Sequence, residues 1–212
     1  MKEIIVTAIF MLGVLNFSNA QDLDTVKVKT SEPIYSLDST LFLSVMGGLS
    51  SKDKILENRA VDSVLKEPNN YAPPTLFLLS IVLFSQNKKE KACFWFYVAQ
   101  LRGRYDVNIS LDSSAGRALS MYREIFGLPI NTYAFKNINR LKKIVTKVVD
   151  FVRANPENYD HSWIYNQGLG PTDSTLSIDK MCKPKSKWAE IKRQTIEDYY
   201  NDFLENVVNR KK

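Results

Sequence analysis

Apolar residues recur every three or four positions along most of the chain after residue 37, which is the spacing of amphipathic α-helices. The cleanest stretch follows Asn137, a residue type that favours the position just before a helix. Its apolar residues lie opposite a row of lysines; they are Ile138, Leu141, Val145, Val148 and Val152. We expect this helix to end before Asn155 and Pro156.

Two apolar segments in the middle of the chain predict a helical hairpin. Pro74 suits the first turn of a helix over residues 75–86, and Gln86–Asn87 separates it from a second helix that opens near Lys88. The second helix contains four consecutive aromatic residues, 94–97, and is apolar on nearly every side. That pattern is typical of a buried central helix.

Capping residues place further helices. Asp112 is expected to cap a helix that runs to Phe126 and stops at Gly127, and Ser186 is expected to cap the last helix. With the helices predicted before Pro68, these patterns indicate an all-α fold. We expect a compact multi-helix domain of about six or seven helices that contains one repeat-like helical hairpin.

Residues 1–20 have the pattern of a secretory signal peptide. An apolar run from Ile4 to Leu15 follows Lys2, and small residues lead up to Ala20, after which we expect cleavage. A membrane anchor is the alternative, but the run is shorter than the ~20 apolar residues that span a bilayer. The expected product is exported, periplasmic or secreted, with a flexible N-terminal arm over residues 21–36 and a single α-helical domain over residues 37–212.

The net charge and the residue counts limit the classes of partner and cofactor that we expect. The formal net charge of +6 permits association with anionic surfaces without requiring it. Export argues against nucleic acid as a partner, and no later apolar run is long enough for a membrane span. Two cysteines, Cys93 and Cys182, and one histidine are too few for a four-ligand Cys/His zinc site, so we expect no metal and no cofactor. Whether the two cysteines form a disulfide stays open, because spacing alone does not show proximity.

The helical hairpin over about residues 74–105 resembles a tetratricopeptide or Sel1-type repeat. The residues that carry the resemblance alternate large and small along both helices; they are Leu76, Leu79, Ser80, Leu83, Ala92, Phe96 and Ala99. Arg104 stands where those families usually have a helix-ending proline, and no second copy follows at the expected period. The resemblance implies one repeat-like hairpin inside a globular domain.

A wider resemblance joins the strings YAPP, FWFYVAQLRGRYD and NPENYDHSWI. Together they are similar to a poorly characterised family of exported bacterial helical proteins, some of which act as immunity proteins against toxins delivered by competitors. The resemblance implies a protein partner and assigns no functional residue.

The polar end of the helix over residues 92–106 is the first candidate binding site. Its candidate side chains are Tyr97, Gln100, Arg102, Arg104, Tyr105 and Asp106. One interpretation is a pocket in which an arginine binds an anionic group bidentately. The other is a core helix whose polar end is satisfied internally, for example by pairing of Arg102 with Asp106 four residues later.

The second candidate segment is residues 155–164, which holds the only histidine, His161. A catalytic triad needs groups that converge in space, so any nucleophile would come from elsewhere, with the two cysteines as candidates. The alternative is that Asp160 caps a short turn while Tyr159, Trp163 and Ile164 dock on the helices. In the functional interpretation of this segment, Tyr159, His161 and Trp163 are the candidate binding residues.

No glycine-rich phosphate loop and no acid–base pair of carboxylates is recognisable. The sequence favours an exported, non-catalytic helical protein-interaction module, with an immunity or inhibitor role as its most concrete form. The alternative is a cell-envelope hydrolase or small-ligand-binding protein that uses the polar end of the helix over residues 92–106. Catalysis is the less favoured of the two, and the sequence does not indicate an oligomeric state.

Overall fold

The computed structural model describes residues 39–112, 114–164 and 181–208, and most of these residues are helical, as predicted. The α-helices are α1 (Ser39–Leu49), α2 (Lys54–Lys66), α3 (Pro73–Ser85), α4 (Lys89–Ile109), α5 (Ala115–Ala134), α6 (Ile138–Ala154) and α7 (Trp188–Phe203). Short 3-10 turns cover Pro68–Asn70, His161–Ile164 and Lys185–Lys187, and a π-helical turn, Leu204–Val208, follows α7. The predicted signal peptide (residues 1–20) and N-terminal arm (residues 21–36) lie outside the described residues.

The chain divides into two compact units, residues 1–60 and residues 61–212. In the first unit, α1 and the start of α2 approach each other closely at Gly48. A Cβ atom built on Gly48 would lie 2.7 Å from the Cβ of Ala60, so only glycine allows this contact. Asp53 holds the start of α2, where its carboxylate accepts a 2.8 Å hydrogen bond from the backbone N–H of Ile55.

In the second unit, α3 and α4 form the predicted hairpin. Residues 73–83 of α3 are all buried, because the helix packs within the other helices of this unit. α3 ends in a Schellman motif, in which Asn87 takes a left-handed backbone conformation with φ 61°. Its N–H donates to the carbonyl of Phe84 at 3.1 Å, and the N–H of Lys88 donates to the carbonyl of Leu83 at 2.9 Å. The turn predicted at Gln86–Asn87 is therefore confirmed.

α4 is the central helix of the second unit and contacts α3, α5, α6 and α7. Its aromatic residues lie on several sides, as the sequence predicted, and Phe96, Trp95 and Tyr97 are all buried. Gly103 allows α5 to come close, since a Cβ there would lie 2.6 Å from the Cδ1 atom of Leu119. Stacked and edge-on rings from α3, α4 and α5 fill the interface; they include Phe77, Phe96, Tyr122 and Phe126.

The predicted end of α5 at Gly127 is wrong, because the helix continues through Gly127 and Pro129 to Ala134. Packing outweighs the local signal here. Phe126 and Ile130 are fully buried on either side of the proline. Gly127 lies at a close contact rather than in a turn, since a Cβ there would lie 3.2 Å from the Cζ atom of Phe96.

α6 agrees with its sequence pattern. The Asn137 side chain accepts a 2.9 Å hydrogen bond from the backbone N–H of Arg140, which confirms the predicted cap. The buried face of α6 contains Leu141, Ile144, Val145, Val148, Val149 and Val152.

The predicted cap of the last helix at Ser186 is wrong. Ser186 lies inside the 3-10 turn Lys185–Lys187, and α7 begins at Trp188 without a side-chain cap. Within the described ranges, no helix is both long enough and apolar enough to cross a bilayer.

Candidate functional site

The buried carboxylate of Asp106 is the centre of the polar site. Only 1% of Asp106 is exposed. The carboxylate accepts hydrogen bonds from the Tyr159 hydroxyl at 3.1 Å, from Nδ1 of His161 at 2.6 Å and from Nε1 of Trp163 at 2.6 Å. A buried charge is tolerated when several donors surround it, and three side-chain donors do so here. We call these four residues the Asp106 cluster.

The segment after α6 explains why three donors reach one carboxylate. Tyr159, His161 and Trp163 occupy every second position, and the turn between them is held by Asp160. The Asp160 carboxylate accepts from the Ser162 backbone N–H at 2.9 Å and from the Ser162 hydroxyl at 2.6 Å. The prediction that Asp160 caps a short turn that docks on the helices is therefore confirmed.

Three aromatic rings enclose the His161 imidazole. The ring centroids of Tyr105, Tyr159 and Trp188 lie 5.6, 5.0 and 5.2 Å from that of His161, and 13% of its side chain is exposed. Burial by itself would lower the pKa of His161. The hydrogen bond and charge of Asp106, with the more distant charges of Glu157 and Asp160, outweigh burial and raise the pKa above its usual 6.5.

The two tyrosines at the site are held in their neutral, proton-donating form. Burial, followed by the negative charge of Asp106, raises the pKa of Tyr159 well above its usual range. Burial and the neighbouring carboxylates of Glu157 and Asp106 also raise the pKa of Tyr105. Neither hydroxyl is therefore prepared to act as a base near neutral pH.

Arg102 lies one helical turn before Asp106 and is fully buried. The two side chains do not pair with each other, because each has its own partners. One Arg102 terminal nitrogen donates to the carbonyl of Pro68 at 2.9 Å and the other donates to the side-chain oxygen of Asn69. Its guanidinium also lies over the rings of Phe151 and Tyr159, 5.4 and 5.9 Å from their centroids.

Glu157 supplies the charge that opposes Arg102. The Nε atom of Arg102 lies 3.7 Å from the Oε1 atom of Glu157, too far for a hydrogen bond, and neither atom has another hydrogen-bond partner. The second oxygen of Glu157 accepts a 2.8 Å hydrogen bond from Lys192, which also donates to the carbonyl of Asn155 at 2.9 Å. A chain of charges therefore links α4, the segment after α6 and α7.

The structure does not bring the remaining candidate residues into this site. The Tyr97 hydroxyl donates to the side chain of Asn131 at 3.0 Å, on the α5 side of α4. Arg104 forms a 2.8 Å ion pair with Asp202 of α7, and both side chains are partly exposed. Gln100 is half-buried. The predicted pocket that would combine Tyr97, Gln100, Arg104 and Tyr105 is not formed by these contacts.

Neither cysteine supplies a nucleophile to His161. Both cysteines are free thiols and are buried. Burial raises the pKa of Cys93 to about 11, so its thiol stays protonated. The only side-chain hydrogen bond of His161 within the described residues goes to Asp106. In the part of the chain that the structure describes, no group of three or more His, Cys, Asp or Glu residues is arranged to hold a metal ion.

Several residues of the site gave no signal in the sequence. Asn69 and Glu157 contact Arg102, Lys192 donates to Glu157, and Trp188 packs on His161. They belong to three separate segments, and nothing in their local pattern distinguishes them from ordinary surface or capping residues. These residues are identified as part of the site only by the contacts between segments in the folded structure.

No protein-family model, no curated protein and no solved structure matches this chain. The function is therefore inferred from the chain's own contacts.

Proposed function

We propose that the protein is an exported, non-catalytic helical protein-interaction module. The observation that carries this proposal is the internal use of the polar groups that would otherwise form an active site. The three donors of the Asp106 cluster point at one carboxylate, and the terminal nitrogens of Arg102 are bonded to Pro68 and Asn69. Among the described residues, these contacts stabilise the fold and direct the polar groups of the site at one another.

Exposed apolar side chains supply the candidate contact surface. In the unit over residues 1–60, Leu43 is 67% exposed, Ile55 is 64% exposed and Leu56 is 48% exposed. Much of the binding free energy at a protein interface comes from a few large side chains that lose contact with water on binding. We propose that these three residues contribute to binding a protein partner, and that an immunity or inhibitor role is the most concrete form of this activity.

A second candidate function rests on the short Asp106–His161 contact. An aspartate that accepts from Nδ1 of a histidine orients the imidazole so that Nε2 can act as a base, as in hydrolases. A cell-envelope hydrolase or small-ligand-binding protein would use this pair with a substrate at the exposed edge of His161. The two proposals make opposite predictions for substitutions of His161.

Affinity capture from the cell-envelope fraction tests the first proposal. The tagged full chain should retain one protein in stoichiometric amount, and the double variant Ile55→Ser/Leu56→Ser should lose it. Leu111→Ser is the matched control, because Leu111 is 60% exposed and lies outside that unit. Loss of the partner in the control, or repeated capture of none, would contradict the proposal.

Substitution of His161 separates the two functions. A binding module keeps its partner when His161 becomes glutamine, provided that circular dichroism shows a folded chain. A hydrolase loses its activity in the same variant. Cell fractionation and N-terminal sequencing test export, and we expect the mature chain to begin at Gln21.

A further inference from the structure

One segment of the chain is basic and contains no acidic residue. Residues 125–149 contain five Lys and Arg residues and no Asp or Glu, a local net charge of +5. This segment covers the second half of α5, the turn after it and most of α6. The helix–turn–helix segment therefore carries positive charge that no acidic residue within it offsets.

Two lysines lie on the solvent-facing side of α6. Lys143 and Lys147 are four residues apart and lie opposite the buried apolar face, whereas Arg140 is half-buried. Lys143 and Lys147 are exposed, as is Lys136 in the turn before the helix. Within the described part of the chain, none of these three lysines forms an ion pair or a side-chain hydrogen bond.

Further positive charge gathers at the turn between α5 and α6. The guanidinium of Arg140 lies 4.1 Å from the ring centroid of Tyr133 and donates to its backbone carbonyl at 3.1 Å. The ammonium of Lys89, from the start of α4, lies 5.6 Å from the same ring. Tyr133 therefore brings the amino-terminal ends of α4 and α6 together, and their helix dipoles add to the positive potential.

Two large apolar side chains are exposed on the same helix–turn–helix segment. Leu128 is 77% exposed, and Phe135, next to Lys136, is 46% exposed. They are seven residues apart along α5 and its C-terminal residue, so they share a face of the helix. We call Leu128, Phe135, Lys136, Lys143 and Lys147 the basic–apolar surface.

We propose that the basic–apolar surface binds the surface of an anionic lipid membrane. Unpaired lysines and exposed Leu and Phe side chains on one helical segment are the combination that places a helix at a charged bilayer surface. Protein interfaces, by contrast, are depleted in lysine, and the bidentate recognition of a protein carboxylate favours arginine. The proposal is independent of the protein-binding function, which uses the side chains of residues 43, 55 and 56.

Vesicle co-sedimentation tests the charge contribution. The full chain should bind phosphatidylcholine vesicles that contain phosphatidylglycerol, and should bind pure phosphatidylcholine vesicles much less. Each lysine near an anionic bilayer contributes about fivefold to partitioning. The double variant Lys143→Gln/Lys147→Gln should therefore bind about 25-fold more weakly.

The control variant Lys66→Gln/Lys187→Gln removes the same charge from two exposed lysines outside residues 125–149. We expect it to bind as the unchanged chain does, within about twofold. All variants keep the apolar residues 4–15, so any contribution of that run cancels in the comparison. Equal losses in both double variants would show a bulk charge effect and overturn the proposal, as would equal binding to neutral vesicles.

Phe135→Ser tests the apolar contribution at a position that is already half exposed. We expect weaker binding to anionic vesicles with unchanged helix content. Polyglutamate is the competing probe for an acidic protein partner. If it binds the full chain with the same lysine dependence while anionic vesicles do not bind, the surface recognises acidic protein and the lipid proposal is wrong.

Discussion

Removing the Asp106 carboxylate is the most informative perturbation of the polar site. Asp106→Leu keeps the number and branching of the side-chain heavy atoms but deletes the acceptor for three donors. The Tyr159 and Trp163 side chains are buried, so their O–H and N–H groups would lose the carboxylate acceptor without gaining water. Each buried donor left unsatisfied costs about 1–3 kcal/mol.

The expected loss of unfolding free energy is therefore about 2–6 kcal/mol from these two donors, against a typical total of about 5–15 kcal/mol. Urea unfolding followed by circular dichroism and tryptophan fluorescence measures it. Tyr159→Phe removes one donor and leaves the carboxylate charged, so we expect a smaller loss of about 1.5–3 kcal/mol. This variant keeps the test valid if Asp106→Leu fails to fold.

The matched control is Asp202→Leu, which deletes a carboxylate that is 54% exposed and paired with Arg104. An exposed ion pair contributes about 0–1 kcal/mol, so this variant should unfold close to the unchanged chain. The reasoning is refuted if Asp106→Leu and Asp202→Leu have unfolding free energies within about 1 kcal/mol of each other.

Three further predictions concern the helix contacts, the thiols and pH. Gly48→Ala should destabilise the chain by about 1–3 kcal/mol in urea unfolding, because its Cβ would lie 2.7 Å from the Cβ of Ala60, which moves only with its backbone. Gly116→Ala, with its nearest neighbour 4.0 Å away, should have no such cost and should stabilise α5 by up to about 1 kcal/mol. A thiol reagent should label neither buried cysteine in the folded chain and both in urea; native labelling at the unfolded rate would contradict the burial. The raised pKa of His161 implies a stabilisation that is complete below pH 6.5 and is lost as pH rises through the folded pKa, so the urea midpoint should fall over that range and should fall less in His161→Gln.

Helical periodicity predicts the elements whose apolar face and local caps agree. α6 begins at its asparagine cap and buries the expected valines, and the α3–α4 turn forms where Asn87 can adopt a left-handed conformation. The end of α5 was predicted incorrectly because Gly127 and Pro129 are local signals that packing overrides. There the glycine lies inside the helix at a close contact with Phe96.

The candidate site shows a different limit. Asp106 and His161 were each recognisable as candidates, but the sequence paired Asp106 with Arg102 one turn away. The contact between Asp106 and His161 joins residues 55 positions apart, and it depends on how the segment after α6 crosses α4. Periodicity describes which face of a helix is buried, whereas the partner across that face depends on the tertiary arrangement of segments.

NMR titration of the single histidine tests the central claim most directly, namely that the Asp106 cluster is closed on itself and holds the His161 imidazole. The chain has one histidine, so its imidazole signals need no assignment. We predict an apparent pKa above 6.5 in the folded chain, because the Asp106 carboxylate stabilises the imidazolium. A pKa at or below 6.5 would mean that the carboxylate does not hold the ring and would contradict the account.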